Sequence, residues 1–190
     1  MPSSRDRLTR DRIIAAARLG IEAAGHEKLS LRKLAADLEV TAPALYDHVA
    51  SKDELLRLVA EQGYAELGDA SVPTATKPID RVRSRAAAYV TFAQTHPEVF
   101  RVMFLYRPAA VAIEADNELN AASDVYDLGL ADLEAAIADG DLVDRDPAHL
   151  GLVMWAAVHG IATVSLIAPP VGAAVATDVV DAMLAGLRPD

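Results

Sequence analysis

Apolar residues recur along this chain at three- and four-residue intervals, as in Ile13, Ala17, Ile21 and Ala24, and no stretch alternates apolar and polar positions between hairpin-type turns. The pattern predicts an all-α protein. Helix starts are marked by side-chain oxygens that can accept from the free N–H groups of a first turn, and by Pro, whose missing N–H costs nothing there. Thr9, Ser30, Thr41, Ser51, His96-Pro97 and Asp146-Pro147 have that character. Ser51-Lys52-Asp53-Glu54 has the S-x-x-E form of a capping box, so a helix is predicted from Ser51 through Leu55, Leu58, Val59 and Tyr64 to about Leu67. From 68 to 78 the periodicity gives way to Gly, Ser, Thr and Pro, which reads as a loop or linker. Further helices are predicted over 79 to 95, 97 to 106, 116 to 139, 147 to 168 and 172 to 187, broken by His96-Pro97, Pro108, Gly140-Asp141 and Pro169-Pro170.

The segment from Leu31 to Val49 predicts two short helices joined by a tight turn. Leu34, Ala35 and Leu38 supply one apolar face, Val40 plugs the turn, and Leu45 with Val49 faces back from the second helix. Ala35 is small enough to let the helices cross closely. A helix-turn-helix needs this packing, because its second helix must be held rigidly to enter a major groove. A generic helical hairpin would share it. The polar residues on the other surface favour the DNA reading: Thr41 offers a hydroxyl and free N–H groups to a phosphate, Tyr46, His48 and Lys52 lie within a turn or loop of it, and Arg32 and Lys33 start the preceding helix.

Charge changes this picture only when it is divided. The net charge of -10 opposes a nucleic-acid partner. Yet residues 1 to 52 hold nine basic against seven acidic side chains, a balance of +2 that leaves -12 on the rest. A mildly basic head on an acidic body would steer DNA to one end, although an acidic protein with uneven charge gives the same count. With no Cys there is no disulfide framework, thiolate metal site or cysteine nucleophile. The first residues lead into no signal-peptide pattern, and no apolar run reaches the length of a membrane span, so a soluble cytoplasmic protein is expected, with no membrane partner.

The helix at 9 to 25 and the run from Leu31 to Leu56 resemble the DNA-binding domain of TetR-family regulators, with the hallmark order Leu45-Tyr46-Asp47-His48-Val49 followed by Ser51-Lys52-Asp53-Glu54-Leu55-Leu56. The resemblance implies that Tyr46, His48 and Lys52 touch the DNA backbone, that Thr41 and Pro43 sit at the major-groove end, and that Arg32 reaches a base or phosphate. Glu39 stands where the family usually has Gly in the turn, a position strained for other residues at positive φ. Ala42 and Ala44 are short, so base readout through them is limited to contacts such as thymine methyls. The expected organisation is a three-helix helix-turn-helix domain over 1 to 52, a connecting helix over 52 to 67, and a larger helical effector-binding and dimerisation domain over 68 to 190.

Two later segments resemble one branch of the same family: His96-Pro97-Glu98-Val99-Phe100-Arg101-Val102-Met103-Phe104, and Trp155-Ala156-Ala157-Val158-His159-Gly160, which has the W-x-x-x-H-G form. Trp155 and His159 are four apart and share a helix face, as core anchors or as ligand contacts, while Gly151 and Gly160 would admit a neighbouring helix. Together with Tyr89, Phe92, Phe100, Met103, Phe104 and Tyr126 they are the candidate lining of a cavity for an apolar or aromatic effector, core packing being the alternative. Ile161, Val164 and Ile167, with Val175, Val179 and Met183, form a candidate dimer stripe on the last two helices. The resemblance implies a four-helix interface there.

The usual enzyme signatures are absent: there is no G-x-S-x-G elbow, H-E-x-x-H, phosphate-binding loop or dinucleotide fingerprint. His96 with Glu98, or His149 with Asp146, could ligate a metal but read more simply as helix-start residues. No cofactor is expected. The expected function is a ligand-responsive transcriptional regulator, a repressor, that binds double-stranded operator DNA as a homodimer and is released by a small-molecule effector. The rival readings are a helical protein-interaction module and a small-molecule-binding protein without DNA function.

Overall fold

The computed structural model describes residues 8–107 and 118–189, so the predicted break at Pro108 lies outside the described residues. Within them every regular element is helical, apart from a single isolated bridge between Arg107 and Glu118. The helices are α1 (Arg10–Ala24), α2 (Leu31–Asp37), α3 (Ala42–Tyr46), α4 (Lys52–Ala70), α5 (Pro78–Thr95), α6 (Pro97–Met103), α7 (Asn120–Ala138), α8 (Pro147–Ile167) and α9 (Pro169–Gly186), with a 3-10 turn at His26–Lys28. The caps fall where the side-chain oxygens predicted them. Thr9, Ser30, Thr41 and Asp146 accept from the amides of Arg12, Lys33, Ala44 and Ala148. At α4 the Glu54 amide donates to Ser51 Oγ at 3.0 Å, and Glu54 reaches back to the Ala50 amide at 2.6 Å while also pairing with Arg10. One carboxylate thus fixes the start of α4 against α1.

The structure divides into two compact units. The first runs to Gly63 and includes Glu98–Tyr106. Its core is built on Ile13, Ala17 and Ile21 from α1, Leu34, Ala35 and Leu38 from the α2 region, Leu45 and Val49 around α3, and Leu55, Leu56 and Val59 from α4. Val99, Phe100, Val102 and Met103 join them. The sequence reading assigns that segment to the C-terminal half. Gly63 explains its seat, since a Cβ there would lie 2.8 Å from Met103 Sδ and 3.1 Å from Val99 Cγ1. The second unit takes Tyr64 to Pro97 and the chain from Arg107 onward, with α8 packed on α5, α7 and α9 around Val82, Val90, Leu133, Met154, Val158, Ile161 and Val180. Helix α9 begins on Pro169 rather than after the Pro pair, because both prolines fit the hydrogen-bond-free first turn. By length and composition α8 could cross a membrane, contrary to the sequence reading. Its His, Thr and Ser residues interrupt the apolar run without adding charge, and its inner face forms the core of this unit.

The turn after α2 decides how α3 is presented. Val40 N donates to Ala35 O at 3.0 Å and Glu39 N to Ala36 O at 3.1 Å, the paired bonds of a Schellman cap. Glu39 occupies its left-handed position with φ 58, and it is the one non-Gly residue with positive φ among those described. The end of α7 repeats this arrangement, with Asp141 N on Ala136 O and Gly140 N on Ile137 O, but there Gly140 takes the positive φ of 77. Glu39→Gly is therefore expected to raise stability by about 0.5–1 kcal/mol, the left-handed penalty less the added backbone entropy of Gly in the unfolded chain. Chemical denaturation of the two proteins reads this directly, and a destabilised variant would show that the Glu39 side chain holds the turn by other means.

Candidate functional site

In the first unit, Leu45 and Val49 anchor α3 from below with essentially no exposure, and the residues between them are turned outward. The Asp47 amide donates to Pro43 O at 3.1 Å and the His48 amide to Leu45 O at 3.0 Å, so the turn after α3 is as constrained as the helix. Tyr46 is 52% exposed, with its ring and hydroxyl available at the surface at the end of α3. Thr41 and Pro43 are exposed at the start of α3, while Ala42 and His48 are half-buried beside them. Thr41 Oγ1 accepts from Ala44 N at 3.3 Å, which leaves its hydroxyl proton to donate. Arg32 is exposed at the start of α2, whereas Lys33 is engaged by Asp37 at 2.6 Å. Lys52 is half-buried, and its Nζ donates to the Glu27 carbonyl at 2.9 Å. That bond ties α4 to the 3-10 turn and leaves two further ammonium protons for a phosphate.

The second unit holds a half-open cavity of about 110 Å³, walled by the last turns of α4 and by α5, α7 and α8. Of the predicted effector residues Tyr89, Tyr126 and Trp155 line it. His159 lies just behind: its ring stacks on Trp155 with centroids 4.7 Å apart, and a 2.9 Å hydrogen bond joins its Nδ1 to the Tyr89 hydroxyl. Burial, reinforced by the positive charge of Arg107, holds its imidazole below the usual histidine range. Burial also pushes the Tyr89 phenol upward, so both partners are neutral near pH 7. Phe92 is buried against His96 and does not line the cavity. Phe100, Met103 and Phe104 belong to the first unit, where Phe100 and Met103 are fully buried and Phe104 packs edge-on to Phe100 at 4.4 Å. For these four the core-packing alternative describes what is observed.

Sequence reasoning missed the polar side of the cavity. Ser71 and Arg85 line it, and behind Arg85 lies the buried Asp132 of α7. Asp132 receives Arg81 Nε at 2.6 Å on one oxygen and Arg85 Nε on the other, and Arg85 Nη1 also donates to Ser71 O at 3.2 Å. The available signal was Arg81 and Arg85 four residues apart on a helix whose adjacent positions Val82, Ala86 and Tyr89 are apolar. Gly151 allows this wall to close, because a Cβ there would meet Tyr126 Oη at 3.0 Å. The candidate metal pairs are otherwise engaged. Asp146 caps Ala148, Glu98 pairs with Arg101 at 3.2 Å, and no group of three potential ligands occurs among the described residues.

The predicted dimer stripe needs correction at three of its six positions. Ile161 is 5% exposed and packs inward with Met154 and Val158, and Val179 and Met183 are partly buried against the same core. Val175 is half-buried, while Val164 and Ile167 are exposed, Ile167 at 77%. The outward face of α8 instead runs Leu152, Ala156, Gly160, Val164 and Ile167, all exposed. At roughly 100° per residue these five positions span about 120° of the helix surface, and position 161 lies about 60° beyond its edge, toward the core. Gly160 meets nothing within 4 Å, so it is open to the close approach of another helix.

Comparison with known proteins agrees with this division of labour. Residues 13–59 match the family described as bacterial regulatory proteins, tetR family, and residues 82–187 match the tetracyclin repressor-like C-terminal domain. An HTH-type transcriptional regulator of Saccharopolyspora erythraea is 38% identical over 71 residues, covering 37% of this chain but 29% of that protein, less than a third of its length. Among solved structures, a protein of unknown function from Rhodococcus sp. RHA1 superposes with TM-score 0.82 at 29% identity, covering 99% of this chain and 100% of that one. A TetR variant from Acinetobacter baumannii AYE, in complex with minocycline, shares the fold with TM-score 0.69 at 23% identity over 95% of this chain and 96% of its own. With a DNA-binding helix-turn-helix domain followed by a C-terminal domain of the ligand-binding type, this chain belongs to the TetR family of transcriptional regulators.

Proposed function

We propose that the protein is a ligand-responsive repressor, not an enzyme, that works in the cytoplasm. It binds a near-palindromic operator as a homodimer and is released by a small apolar or aromatic effector. The observation that carries the reading is the pairing of a rigidly seated, outward-facing α3 in one unit with an aromatic-walled cavity in the other. Arg32, Thr41, Ala42, Pro43, Tyr46, His48 and Lys52 are the proposed DNA contacts. The exposure of Arg32, Thr41, Pro43 and Tyr46, with Ala42, His48 and Lys52 half-buried beside them, supports this, as does the balance of charge in the first 52 residues. Tyr89, Tyr126 and Trp155 are the proposed effector contacts, with His159 holding Tyr89 and Trp155 in place. The outward face of α8 is the proposed dimer surface, supported by its exposed apolar content. The minocycline bound by the Acinetobacter fold relative is consistent with a small-molecule effector.

Titration with operator and with unrelated duplex at several salt concentrations tests the DNA side. Lys52→Ala is expected to weaken both and to lower the salt slope by about one, because one phosphate loses its cation. An unchanged slope would remove Lys52 from the contact set and leave its bond to Glu27 as its whole role.

A further inference from the structure

We infer that the cavity of the second unit takes an amphipathic carboxylate, its apolar or aromatic body among Tyr126, Met154 and Trp155 and its anionic head at Arg85. This rests on the reading of the cavity as the effector site and adds the chemistry of the ligand. Among the described residues that line the wall, Arg85 is the only charged one. Behind it two guanidinium groups share one carboxylate, so the cluster of Arg81, Arg85 and Asp132 carries a surplus positive charge. Side-chain exposure is 27% for Arg81, 16% for Arg85 and 9% for Asp132. Arg81 also donates to Thr76 O at 2.9 Å and is the better solvated of the two.

The surplus therefore falls on Arg85, the member that faces the cavity. Its Nε is committed to Asp132 and its Nη1 to Ser71, but Nη2 takes neither bond. A planar guanidinium held on one side by Asp132 offers its remaining N–H groups in a fixed direction, which suits the two oxygens of a carboxylate. Asp132 is thus a positioning residue. A neutral ligand would leave the surplus charge uncompensated in a poorly solvated place, and a cationic ligand would add to it.

Trp155 is the single tryptophan of the chain and lines the cavity, so its fluorescence reports occupancy. The protein is titrated with 3-phenylpropionate, 3-phenylpropanol and 3-phenylpropylamine, which share a body and differ in the head. The acid is expected to bind about tenfold to a hundredfold more tightly than the alcohol, as charge-assisted hydrogen bonds require, and the amine more weakly than either. Arg85→Gln is expected to erase the preference for the acid while the alcohol still binds, and Arg85→Lys to keep part of it. Should Arg85→Gln fail to fold, the three titrations of the unaltered protein decide alone. Equal binding of acid and alcohol, or a preference for the amine, would overturn the carboxylate while sparing the cavity as an effector site. Binding of none of the three by a protein with a native melt would overturn both.

Discussion

Val164→Asp is expected to yield a folded monomer whose operator affinity is lower by about 10²- to 10⁴-fold, the effective-concentration advantage lost when two half-sites are no longer bound by linked modules. Val164 is 39% exposed, so an aspartate there stays hydrated in the isolated chain and the fold survives. Against a second copy of α8 the same carboxylate would be buried without a cation, because Leu152, Ala156, Gly160 and Ile167 around it are apolar. Ile161→Asp supplies the contrast. Three residues away but 5% exposed, it places the charge within the core of the unit and is expected to unfold it. Sedimentation and a DNA titration of Val164→Asp, beside a thermal melt, separate the two effects. A variant that remains dimeric, or a demonstrated monomer that binds operator tightly, would exclude the α8 face as the dimer surface.

Trp155→Ala is expected to abolish or sharply reduce the effector response and to leave operator binding without effector nearly intact. An effector can release DNA only if it binds the DNA-incompetent form more tightly. A coupling of roughly 1 to 3 kcal/mol corresponds to a loss of operator affinity of about 5- to 150-fold. That factor is what the variant forfeits, because the indole forms part of the cavity wall and stacks on His159. Phe104→Ala is the control: its ring packs on Phe100 in the other unit, and its removal leaves the cavity wall as it was. DNA titrations with and without effector, paired with melts, are the measurement. If Trp155→Ala loses basal binding while its melt is unaltered, the indole serves the DNA-competent conformation, and the effector site lies elsewhere.

These contrasts trace how far the sequence could be read. The DNA-binding end was legible because its determinants are local. The hydroxyls at Thr9, Ser30, Thr41 and Ser51 mark helix starts within three residues of the amides they cap, and even the strain at Glu39 followed from one missing glycine. The cavity was less legible because its wall is assembled from four helices, and sequence spacing does not give their crossings. Tyr89, Tyr126 and Trp155 were found as large aromatics. Phe100 and Met103 looked alike by that measure but fill a core instead, drawn to it by the space that Gly63 leaves. The Arg81, Arg85 and Asp132 cluster escaped because its partners are 47 and 51 residues apart in the chain. On α8, apolar on every side, periodicity does not say which face turns inward, so Ile161 reads as outward with Val164 although it packs in the core.

The central claim, a dimer that reads paired half-sites through α3, is tested most directly by footprinting the purified protein on the genomic fragments it selects. The account predicts a near-palindromic footprint whose half-site centres lie about one helical turn apart, or a multiple of it, and which disappears with Val164→Asp. Selection of no DNA, or a footprint on a single unpaired half-site that Val164→Asp leaves unchanged, would contradict it.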